Sequence, residues 1–236
     1  MNTKDVLKEI ENAGNESIKK TLIKHGAREP LYGVKIEDLK KIQKRVKDNH
    51  QQIALQLFET GIGDAMYLAG LMADGAKMNK QQLQQWAKKA DWQMVSEYTV
   101  PWVACENEAA LELALEWIDS PKENIASTGW CTLSSMAATW PDEKLDVLIF
   151  EKLLERVEKQ IEKSANRVCY CMNAFVIATG SFVKPLNKKA IDTGKKIGDV
   201  EVDMRGTFCK VPYAPDYIKK VVDKGNLGKK KKTAKC

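Results

Sequence analysis

The sequence predicts an all-α fold in which antiparallel helical pairs stack into a curved α-solenoid. Three observations carry that expectation. Apolar residues recur at three- and four-residue spacings along nearly the whole chain. Short polar segments containing Gly or Pro separate the periodic stretches. Helix starts near residues 35, 80, 122 and 164 are about 40 residues apart with two helices per interval, the period of HEAT-like repeats. The intervals share no visible sequence similarity, so a compact irregular bundle fits the same pattern.

Taken in order, Val6, Leu7 and Ile10 mark a first amphipathic helix, and Ile18, Leu22 and Ile23 a second. His25-Gly26-Ala27-Arg28-Glu29-Pro30 ends the second with a glycine after a basic last turn and a proline beyond. Leu39, Ile42 and Val46 stripe a third helix; Ile53, Leu57 and Phe58 stripe a fourth, which breaks at Thr60-Gly61-Ile62-Gly63. Helices are expected over 66–73, 81–89, 92–105 and 108–118. Ser120 and Glu123 have capping-box spacing, with Pro121 at the first helical position of a helix reaching about Thr139. Trp140-Pro141-Asp142-Glu143 opens a helix striped by Leu145, Leu148, Ile149, Leu153, Leu154, Val157 and Ile161. The stretch 166–179 is apolar almost all round and so belongs inside. Helices over 187–197 and 215–222 flank an extended segment, 198–213, with room for short strands at Val200-Glu201-Val202.

With 236 residues, 44% hydrophobic and 30% charged, the chain can bury a sizeable core. The expected organisation is one helical-repeat domain over 1–224 and a flexible basic tail over 225–236. Six cysteines lack any CxxC pair, and His25 and His50 are far from them in sequence. Buried reduced thiols are therefore expected, in a reducing, cytoplasmic setting, with no metal site and no cofactor. The N-terminus lacks a signal-peptide core, and no apolar stretch is long enough to span a membrane. Phosphate-loop, GxGxxG, HExxH and GxSxG motifs are all absent.

Charge is unevenly spread. Residues 181–236 carry 15 Lys and Arg against 6 Asp and Glu, a net of +9, while the whole chain is +6. An acidic-to-neutral body with a basic end points to an anionic partner, or simply to a solubilising tail ending in Lys229-Lys230-Lys231-Lys232. Of six tryptophans, most belong to helix packing. Trp92 follows Lys88-Lys89-Ala90-Asp91 at a helix junction, where an aromatic face could stack on a base. Arg167, at a helix start, suits a phosphate through its guanidinium and open backbone N–H groups, or an ion pair on the helix surface.

Taken together, several segments resemble the AlkD-like DNA alkylation repair proteins, all-helical HEAT-like folds that include glycosylases for alkylated purines. The segments are Lys24-His25-Gly26-Ala27-Arg28-Glu29-Pro30-Leu31-Tyr32-Gly33-Val34, Asp91-Trp92-Gln93-Met94-Val95, Asn166-Arg167-Val168, Asn173-Ala174-Phe175-Val176-Ile177-Ala178, and Thr207-Phe208-Cys209-Lys210-Val211-Pro212 with the lysine-rich end. The resemblance covers essentially the whole chain and implies a concave basic groove holding duplex DNA by its backbone. In the glycosylase members a tryptophan is followed four residues later by an aspartate on the same helix. That carboxylate stabilises the oxocarbenium sugar and positions water, while aromatic faces favour the cationic lesion. Trp92 matches the tryptophan, but Ser96 stands at the aspartate position, and on an α-helix Glu97 points about 100° away. Ala126-Ser127-Thr128-Gly129-Trp130 replaces a DNA-contacting arginine, and Ala174-Phe175 a second tryptophan.

The resemblance thus implies duplex DNA, alkylated or not, as partner, with base excision weak, altered or absent. Trp92, Asp91 and Ser96 are the candidate catalytic residues, and Arg167, Lys210, Lys229, Lys230, Lys231 and Lys232 the candidate DNA contacts. Two readings stay open beside it: an active glycosylase with a displaced carboxylate such as Asp91, and a protein-interaction scaffold with no nucleic-acid role.

Overall fold

The computed structural model describes residues 1–207 and 209–236. Among the described residues it contains thirteen α-helices and no strand. They are α1 (Thr3–Asn12), α2 (Glu16–Lys24), α3 (Ile36–Arg45), α4 (His50–Glu59), α5 (Gly63–Met72), α6 (Lys80–Lys89), α7 (Val100–Ala104), α8 (Ala110–Ile118), α9 (Glu123–Thr139), α10 (Val147–Gln160), α11 (Asn166–Phe182), α12 (Asn187–Ile197) and α13 (Ala214–Asp223). The chain divides into two compact units: residues 1–110 with Lys235 and Cys236, and residues 111–234.

In the first unit each amphipathic stripe meets its neighbours as its period dictates. Val6 and Ile10 of α1, Leu39 and Ile42 of α3, and Ile53, Leu57 and Phe58 of α4 are buried. The Phe58 ring stacks on Trp86 of α6 with centroids 3.8 Å apart. Helix α5 is buried over its whole length, which its uniformly apolar, small-residue sequence allows. Its first turn carries the buried carboxylate of Asp64, which accepts backbone N–H groups from Tyr32 (2.7 Å), Gly33 (3.2 Å) and Val34 (2.8 Å). Gly33 sits at φ +79, and a Cβ there would lie 2.4 Å from the Lys19 nitrogen. Only glycine fits that position. The basic-Gly-Pro-Tyr-Gly-Val stretch is therefore a loop clamped by the start of α5.

The second unit is centred on α9 and α11, which bury most of their 17 residues each. Trp130, Phe175 and Phe150 form a contiguous aromatic cluster, with centroids 5.2 and 5.6 Å apart. Gly129 lets α9 approach α8, since a Cβ there would lie 2.7 Å from the Ile118 nitrogen. Glu158 of α10 accepts hydrogen bonds from the Thr193 hydroxyl (2.7 Å) and the Lys196 ammonium (2.8 Å) of α12.

Three local expectations are corrected. Helix α9 starts at Glu123 with Lys122 as N-cap, not at Ser120, and no capping box forms. Ser120 instead accepts the Lys122 N–H at 3.2 Å, while Glu123 reaches the backbone of Arg167. The segment 92–105 is not one regular α-helix. It contains a π-helical turn, Val95–Thr99, in which the Val100 N–H bonds to Val95 O. Pro101 explains the widening, because its ring would collide with the carbonyl four residues back in an α-helix. No strand forms at 200–202.

Removing the Asp64 carboxylate would strand three amides in the interior. Asp64→Ala is expected to lower stability by about 3–5 kcal/mol in urea denaturation, with Asp64→Asn intermediate. For Glu158, burial alone would raise the pKa, but the Lys196 and Thr193 bonds hold it below the ordinary 4.5. Its contribution is complete above that value and fades as pH falls through the lower folded pKa. Glu158→Gln should therefore lower Tm near neutral pH, and the difference from wild type should shrink between about pH 5 and 3.

Candidate nucleic-acid interface

The candidate residues fall into two groups, one in each unit. Trp92, Asp91 and Ser96 belong to the first unit, and Arg167, Lys210 and Lys229 to Lys232 belong to the second.

Exposure separates the first group. Trp92 is 5% exposed, and its ring lies against the start of α5, where a Cβ on Gly63 would be 3.3 Å from it. Its indole Nε1 is buried and meets no acceptor among the described residues. Ser96 is 3% exposed, with its hydroxyl donating to the Trp92 carbonyl at 3.3 Å. Asp91 lies outside, 54% exposed, with the Arg28 guanidinium 3.6 Å away. The pair that the sequence pattern aligns, Trp92 and Ser96, is thus an internal packing contact, and the neighbouring carboxylate faces solvent.

The π-turn also holds Glu97. The Ser96 N–H donates to the Trp92 carbonyl at 2.9 Å, an α-helical step, and the five-residue bond appears only one turn on, from the Val100 N–H to Val95 O. Glu97 is itself buried. In the sequence, α-helical spacing sets Glu97 aside; its burial is not legible there.

In the second unit, Arg167 stands in the first turn of α11 as expected, but its backbone N–H donates to Glu123 Oε1 at 2.8 Å. A carboxylate already occupies the place proposed for a phosphate. The guanidinium lies over the Tyr170 ring, 4.4 Å from its centroid, with Nη1 3.7 Å from Met204 Sδ. Asn166 exchanges hydrogen bonds with the backbone of Asp203: its Nδ2 donates to the carbonyl (3.0 Å) and its Oδ1 accepts the N–H (2.7 Å). That ties the segment 198–213 to the start of α11.

Within this segment Arg205 and Gly206 take consecutive positive φ values, 54 and 66, and the Thr207 N–H bonds to Met204 O at 3.1 Å. This is the geometry of a type I′ turn. It projects Arg205 into solvent, and Lys210 follows, also exposed. Arg205 was not singled out from the sequence, although the Arg-Gly pair in an extended segment is a readable turn signal. Phe208, part of the resemblance, lies outside the described residues.

Among the described residues no group of three or more His, Cys, Asp or Glu could hold a metal. No described helix is long and apolar enough to cross a membrane.

An all-helical HEAT-like chain with exposed cations on its loops is the setting for the comparisons with known proteins. The family described as DNA alkylation repair enzyme matches residues 6–214. The chain belongs to that family. It is 32% identical over 224 residues to the uncharacterized protein Lin0241 of Listeria innocua, covering 92% of this chain and 96% of that one. It is also 32% identical over 218 residues to the uncharacterized protein Lmo0209 of Listeria monocytogenes, covering 90% and 93%. Among solved structures it resembles, with a TM-score of 0.90, 34% identity and full coverage of both chains, one described as a new family of proteins related to the HEAT-like repeat DNA glycosylases with affinity for branched DNA structures.

The interior setting of Ser96 can be tested directly. Ser96→Asp, which restores the glycosylase-type residue, places a charge in the core. It should cost about 3 kcal/mol in urea denaturation and should not bring about release of alkylated bases.

Proposed function

We propose that this protein binds DNA through its phosphate backbone, prefers branched over linear duplex DNA, and does not excise alkylated bases. Membership in the DNA alkylation repair family and the branched-DNA affinity of a 34% identical relative support the binding. The observation that carries the lack of excision is the Trp92–Ser96 pair, buried at 5% and 3% exposure. Hydrolysis of a glycosidic bond at an alkylated purine needs a carboxylate facing the sugar and an aromatic face open to the base. At these positions the chain has a neutral hydroxyl turned to a carbonyl and an indole packed on Gly63.

The candidate cations that reach solvent are Arg205 and Lys210 on the 198–213 segment, and Lys229, Lys231 and Lys232 near the chain end. Arg167, stacked on Tyr170, presents its guanidinium beside the same segment. The six cysteines are free, which supports a reducing, cytoplasmic setting.

The test is fluorescence anisotropy with a four-way junction, a matched linear duplex and single strands across a salt series. It is paired with base release from a duplex containing 7-methylguanine. Tightest binding to the junction, falling steeply with salt and without base release, is the expected result. Arg205→Ala combined with Lys210→Ala should reduce the magnitude of the log–log salt slope by about two while leaving Tm unchanged. Salt-insensitive binding, or none, would overturn the proposal in favour of a protein-interaction scaffold. Base release would overturn its second half and make Glu97 the first residue to replace.

A further inference from the structure

The lysine-rich end of the chain is in contact with the protein along its length. The Gly228 N–H donates to Ser181 O at 2.9 Å, and the Lys231 N–H to Ala138 O at 2.8 Å. The Lys230 ammonium reaches Ala137 O at 2.9 Å and Asp142 at 3.0 Å. Lys231 Nζ lies over the Phe182 ring, 5.5 Å from its centroid. Gly228, at φ +74, packs on the aliphatic part of Lys184, where a Cβ would meet the side chain at 2.5 Å. In the first unit, Lys235 Nζ bonds to Ala73 O at 2.5 Å and Glu106 at 2.8 Å. There too, Cys236 Sγ lies 3.2 Å from the buried Tyr67 hydroxyl.

The backbone acceptors share one property. Ala137 and Ala138 lie in the last turn of α9, Ser181 in the last turn of α11, and Ala73 is the C-cap of α5. The final carbonyls of a helix have no partner within it and carry the negative end of the helix dipole. An ammonium group is the side-chain donor best suited to them. The two lysines whose ammonium groups reach helix carbonyls are also the less exposed ones: the side chains of Lys230 and Lys235 are 18% and 17% exposed, whereas Lys229, Lys231 and Lys232 are exposed.

We propose that the basic end of the chain caps helix termini: in the second unit residues 226–232 form a clasp in which Lys230 closes the C-terminal end of α9, with Lys229, Lys231 and Lys232 exposed, and in the first unit Lys235 closes the C-terminal end of α5. The clasp is part of the fold and stands independently of DNA binding. The contacts assign the two roles: the inward lysines satisfy helix carbonyls, and the outward ones stay hydrated.

Two charge-matched variants and one exchange measurement test this. Lys230→Gln with Lys235→Gln, and Lys229→Gln with Lys232→Gln, each remove two positive charges. The inward pair should lower Tm by about 3–6 °C relative to the outward pair. In the unchanged protein the Gly228 and Lys231 amides should exchange with solvent at least about tenfold more slowly than in a free peptide. The inward pair should abolish that protection. Equal Tm values for the two variants, or free-peptide exchange at Lys231 in the unchanged protein, would overturn the clasp. Neither readout involves nucleic acid, so failure here is separate from failure of the DNA-binding reading.

Discussion

The Asp64 carboxylate, buried beneath three consecutive amides, is the interaction on which the first unit depends. A charge out of water is tolerable only when donors replace its hydration, and Tyr32, Gly33 and Val34 supply three of them in sequence. Satisfying one carboxylate this way fixes the path of the chain between α2 and α3. It also fixes Gly33 against the first turn of α2, where the Lys19 N–H bonds to Asn15 O. The same first turn of α5 carries Gly63, whose missing side chain accommodates the Trp92 ring. One helix start thus sets both the loop and the depth of the tryptophan.

That depth determines the surroundings of Trp92 and Ser96. Burial turns an aromatic residue from a recognition surface into packing, and with it the adjacent hydroxyl becomes an internal donor. The π-turn that follows precedes Pro101, and Glu97 within it is buried. The chain has the helical framework of the alkylation repair family, and within it Trp92 and Ser96 are buried.

Helices with a clean apolar stripe, such as α3 and α4, were legible from the sequence because their period follows directly from which face is buried, whereas the helix expected to open at Trp140–Glu143 starts only at Val147 and leaves Leu148 of its expected stripe in solvent. The all-helical, HEAT-like fold followed from spacing and resemblance. The less legible features each depend on a partner distant in sequence. Glu123 reads as a capping residue for its own helix, yet its carboxylate is held by an amide 44 residues away. Trp92 has the same local sequence whether it faces inward or outward, and Gly63 settles the matter. The lysine run has the composition of a solvated segment, and its contacts are helix ends that no local pattern marks.

The lysine contacts have a kinetic side. A helix end is a dipole with no net charge, so Lys230 and Lys235 keep their full charge while capping it, although Asp142 and Glu106 offset part of that charge at close range. Beyond about 10 Å at moderate salt, a polyanion responds to the summed field and cannot sense which ammonium groups are hydrogen-bonded. The basic end can therefore draw an anion toward the molecule from a distance with more charge than it can offer on contact. For the DNA binding proposed above, encounter rate and bound lifetime would thereby depend on different subsets of the same lysines.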